Sequence, residues 1–156
     1  MRSNFMLLIL SVFIISSCTT GQKSLQQGNF YDALMKAVNR LGSDPDNRKA
    51  SQVVREGYPM AMAYYQEEID KMLTGNDPFK WNQTLDVMNT VNQISDEIRR
   101  IPAARQLVTS PKTYTSELIN VQNHAAQEHY DAGMDLLARN TRETAKEAFY
   151  HFRSAD

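Results

Sequence analysis

Four side chains in this sequence combine reactive chemistry with a spacing worth testing: Cys18, His124, His129 and His151. They include the single cysteine and all three histidines. His124 and Glu128 are four residues apart and share one face of a helix, while His129 lies off that face. The run H-A-A-Q-E-H fits neither H-E-x-x-H nor H-x-x-E-H, the spacings that set two zinc ligands side by side. A metal site would need further ligands, and His151 from the next helix is the available one. The histidines are therefore read as polar surface residues, and no metal is expected. Glu67, Glu68, Asp70, Asp96 and Glu97 sit beside Lys71, Arg99 and Arg100, as on solvated helix faces. No G-x-S-x-G, phosphate-binding loop or dinucleotide fingerprint occurs. One cysteine cannot run dithiol chemistry within the chain. The expectation is a protein that is not an enzyme, with no catalytic residues and no cofactor.

Cys18 has its own setting. Arg2 supplies a positive charge, Phe5 to Ile15 form an apolar run too short to span a bilayer comfortably, and Ser16 and Ser17 precede the cysteine. The order I-S-S-C resembles the lipobox of bacterial lipoproteins. That resemblance implies a signal peptide over 1–17, cleavage before Cys18, and a diacylglyceryl group on its thiol with a further acyl chain on the new amine. Two or three chains anchor firmly where one does not. The residue that follows is Thr19, not the aspartate that favours inner-membrane retention, and T-T-G-Q-K carries no acidic run. The expectation is a bacterial outer-membrane lipoprotein facing the periplasm, anchored through Cys18. A lone thiol in an oxidising compartment fits attachment better than a disulfide.

Charge narrows the partners. The chain carries 17 basic and 18 acidic residues. Loss of Arg2 with the leader leaves 16 against 18, a net charge near −2. No block of like charge appears, so neither a nucleic-acid partner nor a polybasic membrane footprint is expected.

After the leader, residues 18–27 read as anchor and linker, and 28–156 as one helical domain. Leu34, Ala37, Val38 and Leu41 fall at i, i+3, i+4, i+7 and predict a helix over 30–41, stopped by Gly42-Ser43-Asp44-Pro45. A helix over 46–73 follows, with a kink or break at Gly57 and Pro59. Asp77 is predicted to cap the next helix, with Pro78 at its first position. Trp81, Leu85, Met88, Val91, Ile94, Ile98 and Ile101 make its apolar stripe, ended by Pro102. A helix over 113–138 shows Ala126, Tyr130, Gly133, Met134 and Leu137 on one face. Thr141 caps a last helix carrying Ala145, Ala148, Phe149 and Phe152. No alternating β-branched run occurs, so the fold class is all-α.

Two stretches resemble tetratricopeptide repeats. G-N-F-Y-D-A-L-M-K-A-V-N-R-L-G-S-D-P-D-N, residues 28–47, is similar to the second helix and exit turn of such a repeat, with Gly28, Phe30, Ala33 and Pro45 on family positions. Over 130–156, Gly133, Ala145 and Phe149 fall on its small and aromatic positions. Arg40 and Phe152 stand where the family usually has alanine. The resemblance implies antiparallel helical hairpins stacked as a short α-solenoid array, which binds other proteins through exposed aromatic side chains. Tyr64, Tyr65, Trp81 and Tyr130 are the candidate binding residues, and an envelope protein is the expected partner. Two alternatives stay open at this stage: a structural lipoprotein associated with the cell wall, and an accessory domain of an enzyme encoded beyond residue 156.

Overall fold

The computed structural model describes residues 20–156. Cys18 and the leader lie outside the described residues. These contain seven helices and no strand: α1 (Gln22–Gln26), α2 (Phe30–Ser43), α3 (Arg48–Thr74), α4 (Lys80–Arg100), α5 (Pro102–Leu107), α6 (Ser116–Ala138) and α7 (Arg142–Ala155). The all-α expectation holds. The described residues pack as two compact units. The first holds the described residues up to Met62 together with Ile94–Pro111, and the second holds Ala63–Gln93 and Lys112–Asp156.

In the first unit α2 buries its whole predicted stripe. Ala33, Leu34 and Ala37 are 0% exposed, and Val38 and Leu41 are 1% exposed. Each of the large aliphatic groups contributes about 1.5–3 kcal/mol by leaving water. Asn29 caps the helix by accepting from the Asp32 N–H at 3.2 Å. Residues 20–27 are more than a linker. They form α1, which packs on α2, and Ser24 Oγ donates to Asp32 at 2.7 Å. Gly21 makes this possible: with φ +77, a Cβ there would stand 2.1 Å from the Ala33 carbonyl oxygen. The D-P-x-N turn is built by side chains. Asp44 Oδ2 accepts from Arg40 and from Asn47 Nδ2, and Asn47 Oδ1 accepts from the Ala50 N–H at 3.0 Å, capping α3.

The break expected at Gly57 and Pro59 does not occur, and α3 runs unbroken from Arg48 to Thr74. Pro59 and Arg55, whose carbonyl loses its donor, are both exposed, so water replaces the missing bond. Gly57 is buried and lets the Leu25 and Leu34 methyls approach within 3.1 and 3.6 Å of where its Cβ would be. Pro102 ends α4 and also opens α5, occupying its first turn, where a missing N–H costs nothing.

In the second unit α4 begins at Lys80, not at Pro78. Phe79 adopts φ 58, a left-handed conformation that blocks helix at the predicted start. Lys80 Nζ donates to the Leu73 and Gly75 carbonyls at 3.0 and 2.8 Å, closing the C-terminal end of α3. The segment before α6 is held by Asn92, which donates to the Tyr114 carbonyl at 2.9 Å and accepts its N–H at 2.8 Å. Helices α6 and α7 then form a hairpin. Asn140, at φ 52, makes the turn, and Thr141 caps α7 in a reciprocal box with Thr144 as predicted.

The buried faces of this hairpin differ from the predicted ones. On α6 the buried residues are Val121, Ala125 and Gly133, while Tyr130, Met134 and Leu137 are 45–50% exposed. On α7 Ala148 is buried, whereas Ala145 is exposed and Phe149 is 60% exposed. Ala145 and Phe149 are thus not packing residues within the described chain. The contact between the helices is set by Gly133, where a Cβ would lie 2.6 Å from the Phe152 ring. That close approach fixes the rotation of both helices and turns the larger apolar side chains outward.

Candidate functional site

The second unit carries two features of chemical interest. The first is a ring cluster built where α6 and α7 meet the start of α4. His129 Nδ1 and His151 Nδ1 are 3.0 Å apart, and Asn82 Nδ2 lies 2.7 Å from His129 Nε2. Phe79 stacks on both imidazoles, with centroids at 4.8 Å from His129 and 5.4 Å from His151. Its unusual φ is what places the ring there. A left-handed non-glycine residue costs on the order of 1–3 kcal/mol and persists only when its surroundings hold it. Beside the pair a cleft of about 240 Å³ is lined by His129, Glu147, Tyr150, His151 and Ser154. Burial, and then the nearby His151, hold the His129 imidazole below its ordinary value.

His124 and Glu128 do share a face, as their spacing requires. His124 stacks on Trp81 at 4.3 Å, and Lys80 Nζ lies 5.4 Å from the same indole centroid. Burial pushes the Glu128 carboxyl up, while Lys80, a hydrogen bond from the Trp81 backbone and His124 pull it back. Glu128 Oε2 is buried without a hydrogen-bond partner. The reading of all three histidines as surface residues is therefore corrected. His129 and His151 are half-buried and paired, and only His124 is exposed. Among the described residues no group of three or more His, Cys, Asp or Glu side chains is placed to hold a metal ion.

The second feature is an apolar face on the outside of the hairpin. Tyr130, Met134 and Leu137 lie along α6 at helical spacing, and Tyr130 contacts Phe152 of α7 with centroids 5.8 Å apart. Phe149, one turn before Phe152, extends the face along α7, while Tyr150 lines the cleft. Of the predicted binding residues, Tyr64 and Tyr130 are exposed at 45% and 50%. Trp81 is half-buried against His124. Tyr65 is only 9% exposed and packs edge-on against Tyr64, so it cannot offer its ring to a partner.

The predicted packing residues divide similarly. Ala33 and Gly133 are buried at close contacts, and Phe30 is half-buried. Gly28 and Pro45 are exposed turn residues, Gly28 with φ +74 and nothing within 4 Å of a Cβ. The spacing analysis missed Asn82, Phe79 and Asn92. Only the P-F pair before a helix start hinted at any of them.

No helix among the described residues is long and apolar enough to cross a membrane. No protein-family model matches the chain, and no curated protein or solved structure matches it.

Proposed function

We propose that this chain is a lipid-anchored envelope protein that holds another protein through the outer face of its α6–α7 hairpin, without catalysis of its own. The observation that carries this reading is the inside-out packing of the hairpin. Its helices meet where Gly133 admits the Phe152 ring and at the paired imidazoles, while Tyr130, Met134, Leu137 and Phe149 face solvent at 45–60% exposure. Large adjacent apolar groups left in water are the usual mark of a contact surface. The tetratricopeptide-like arrangement is part of the proposal. The capped D-P-x-N turn and the close contact at Gly133 support it, and Phe149 and Ala145 are where a further stacked element would sit. Anchoring at Cys18, at the periplasmic face of the outer membrane, rests on the I-S-S-C order.

The test has two arms. Lipid labelling in a bacterial host should be present in the wild type and lost in Cys18→Ser, with precursor accumulating; equal labelling of both would remove the anchor. Crosslinking followed by mass spectrometry should recover one envelope protein with wild type and not with a Phe149→Ser, Met134→Ser double variant that folds normally. Equal recovery by both would remove the surface. Recovery of peptidoglycan in place of a protein would favour the structural alternative.

A further inference from the structure

The Nδ1···Nδ1 approach of His129 and His151 requires something between the two nitrogens. Two lone pairs aimed at each other across 3.0 Å repel, so either a proton or a metal ion bridges them. The geometry separates the two. The ring centroids are 5.2 Å apart, which exceeds the nitrogen separation by 2.2 Å. That excess is about two imidazole ring radii of ~1.1 Å, so both centroids and both nitrogens lie close to one line. A line is the shape of an N–H···N hydrogen bond. A metal bound at about 2.0–2.1 Å from each nitrogen would sit off that line and tilt the rings together. Among the described residues no third ligand is in place either.

The proton count follows from Asn82. Its amide N–H donates to His129 Nε2, so that nitrogen is bare and the ring proton sits on Nδ1. His129 then donates to His151 Nδ1, and His151 keeps its own proton on Nε2, toward the cleft. The neutral pair is fully satisfied. One added proton can be accommodated at His129 Nε2 if the Asn82 amide rotates to present its oxygen. A second has no acceptor, because it would set two N–H groups face to face and two cations 3.0 Å apart.

We propose that His129 and His151 form a one-proton latch that holds α7 on α6 and on the start of α4 at neutral pH and releases it in acid. Glu147 and Tyr150 on α7 line the cleft beside the latch, whereas Lys80 at the start of α4 and Glu128 on α6 lie together by Trp81 and His124. Phe79 covers both rings and keeps water from taking over the shared bond.

The direction with pH is fixed by linkage. A histidine barred from protonation in the folded state binds fewer protons than in the unfolded chain. The stability it contributes is complete above the ordinary value of about 6.5 and is lost as pH falls below it, about tenfold per unit. Glu128 acts oppositely, because its raised carboxyl takes up a proton in the folded state above its ordinary 4.5. A comparison that leaves Glu128 in place isolates the latch.

Amide hydrogen exchange of the full chain, corrected for intrinsic rates, is the test. Protection of Arg142–Ala155 should fall about tenfold between about pH 7.5 and about pH 5.5 in the wild type, one unit either side of ~6.5. In His151→Asn, which keeps an acceptor for His129 and cannot be protonated, only the smaller fall that comes from burial of His129 should remain. Flat wild-type protection, or an equal fall in both proteins, overturns the latch. Should His151→Asn fail to fold, ¹⁵N ring shifts of the wild type decide. One added proton taken up by the pair before α7 opens supports the proposal. Two independent protonations near ~6.5 in the intact fold overturn it. A rise in α7 protection with one equivalent of Zn²⁺ or Cu²⁺ at neutral pH, lost in His151→Asn, would make the gap a metal site and also overturn it.

Discussion

Helix α2 and the α6–α7 hairpin treat their apolar residues in opposite ways. Helix α2 places every residue of its stripe inside, with Leu34 and Leu41 at 0–1% exposure and Lys36 and Asn39 on the exposed side. The hairpin closes where Gly133 meets the half-buried Phe152 ring and on a pair of half-buried imidazoles, and leaves Tyr130, Met134, Leu137 and Phe149 in water. The difference separates residues that stabilise the fold from residues available for contact. A helix with its large side chains inside has no surface to offer. A hairpin held by close backbone approach and polar pairing keeps its large side chains free.

Substitution of Leu41 by Ala sets the upper end of the comparison. It should cost about 2–5 kcal/mol, from lost burial and a cavity, whereas Phe149→Ala should stay within about 0.5 kcal/mol. Urea denaturation of both variants checks this, and comparable losses would mean that Phe149 packs rather than waits. Gly133→Ala comes next. Its methyl group would meet the Phe152 ring, which must move, at a cost of about 1–3 kcal/mol by thermal melting. An unchanged melting temperature would show that the two helices do not depend on that contact.

Smaller and more local, Thr141→Ala removes the capping box of α7 and should cost about 1 kcal/mol, seen as faster exchange at the first turn of α7 and nowhere in α2. Acid should discriminate between the two regions in the same way. Protection of α7 should fall below about pH 6.5, while α2, which contains no histidine, should hold its protection over the same range.

What could be read from the sequence follows from the same contrast. The α2 stripe was legible because Leu34, Ala37, Val38 and Leu41 recur at one helical spacing with polar residues opposite them. On α6 the signal is double. Val121 and Ala125 mark one face and Tyr130, Met134 and Leu137 another, and spacing alone selects the larger residues, which are the exposed ones. The rule that large apolar side chains lie inside fails where a glycine permits close approach and sets the rotation. The His129–His151 pair spans twenty-two positions and two helices, so it exists only once the turn at Asn140 and the rotation at Gly133 are fixed. Phe79 hid behind a good helix-start pattern at Asp77-Pro78, which its left-handed backbone overrides. At Pro59 the expected kink or break rested on a lost donor and a clash with the preceding turn; with Arg55 and Pro59 exposed, water takes the freed carbonyl and the helix continues.

The central claim, that the outer face of the hairpin is the contact surface, is tested most directly by a photo-crosslinking residue placed in the full chain in cells. It would replace Phe149 in one variant and Gln52, an exposed residue of the first unit, in another. A single crosslinked envelope protein from position 149, with none from position 52, is the predicted result. Crosslinks of equal yield and pattern from both positions, or none from position 149 in a correctly localised protein, would contradict the claim.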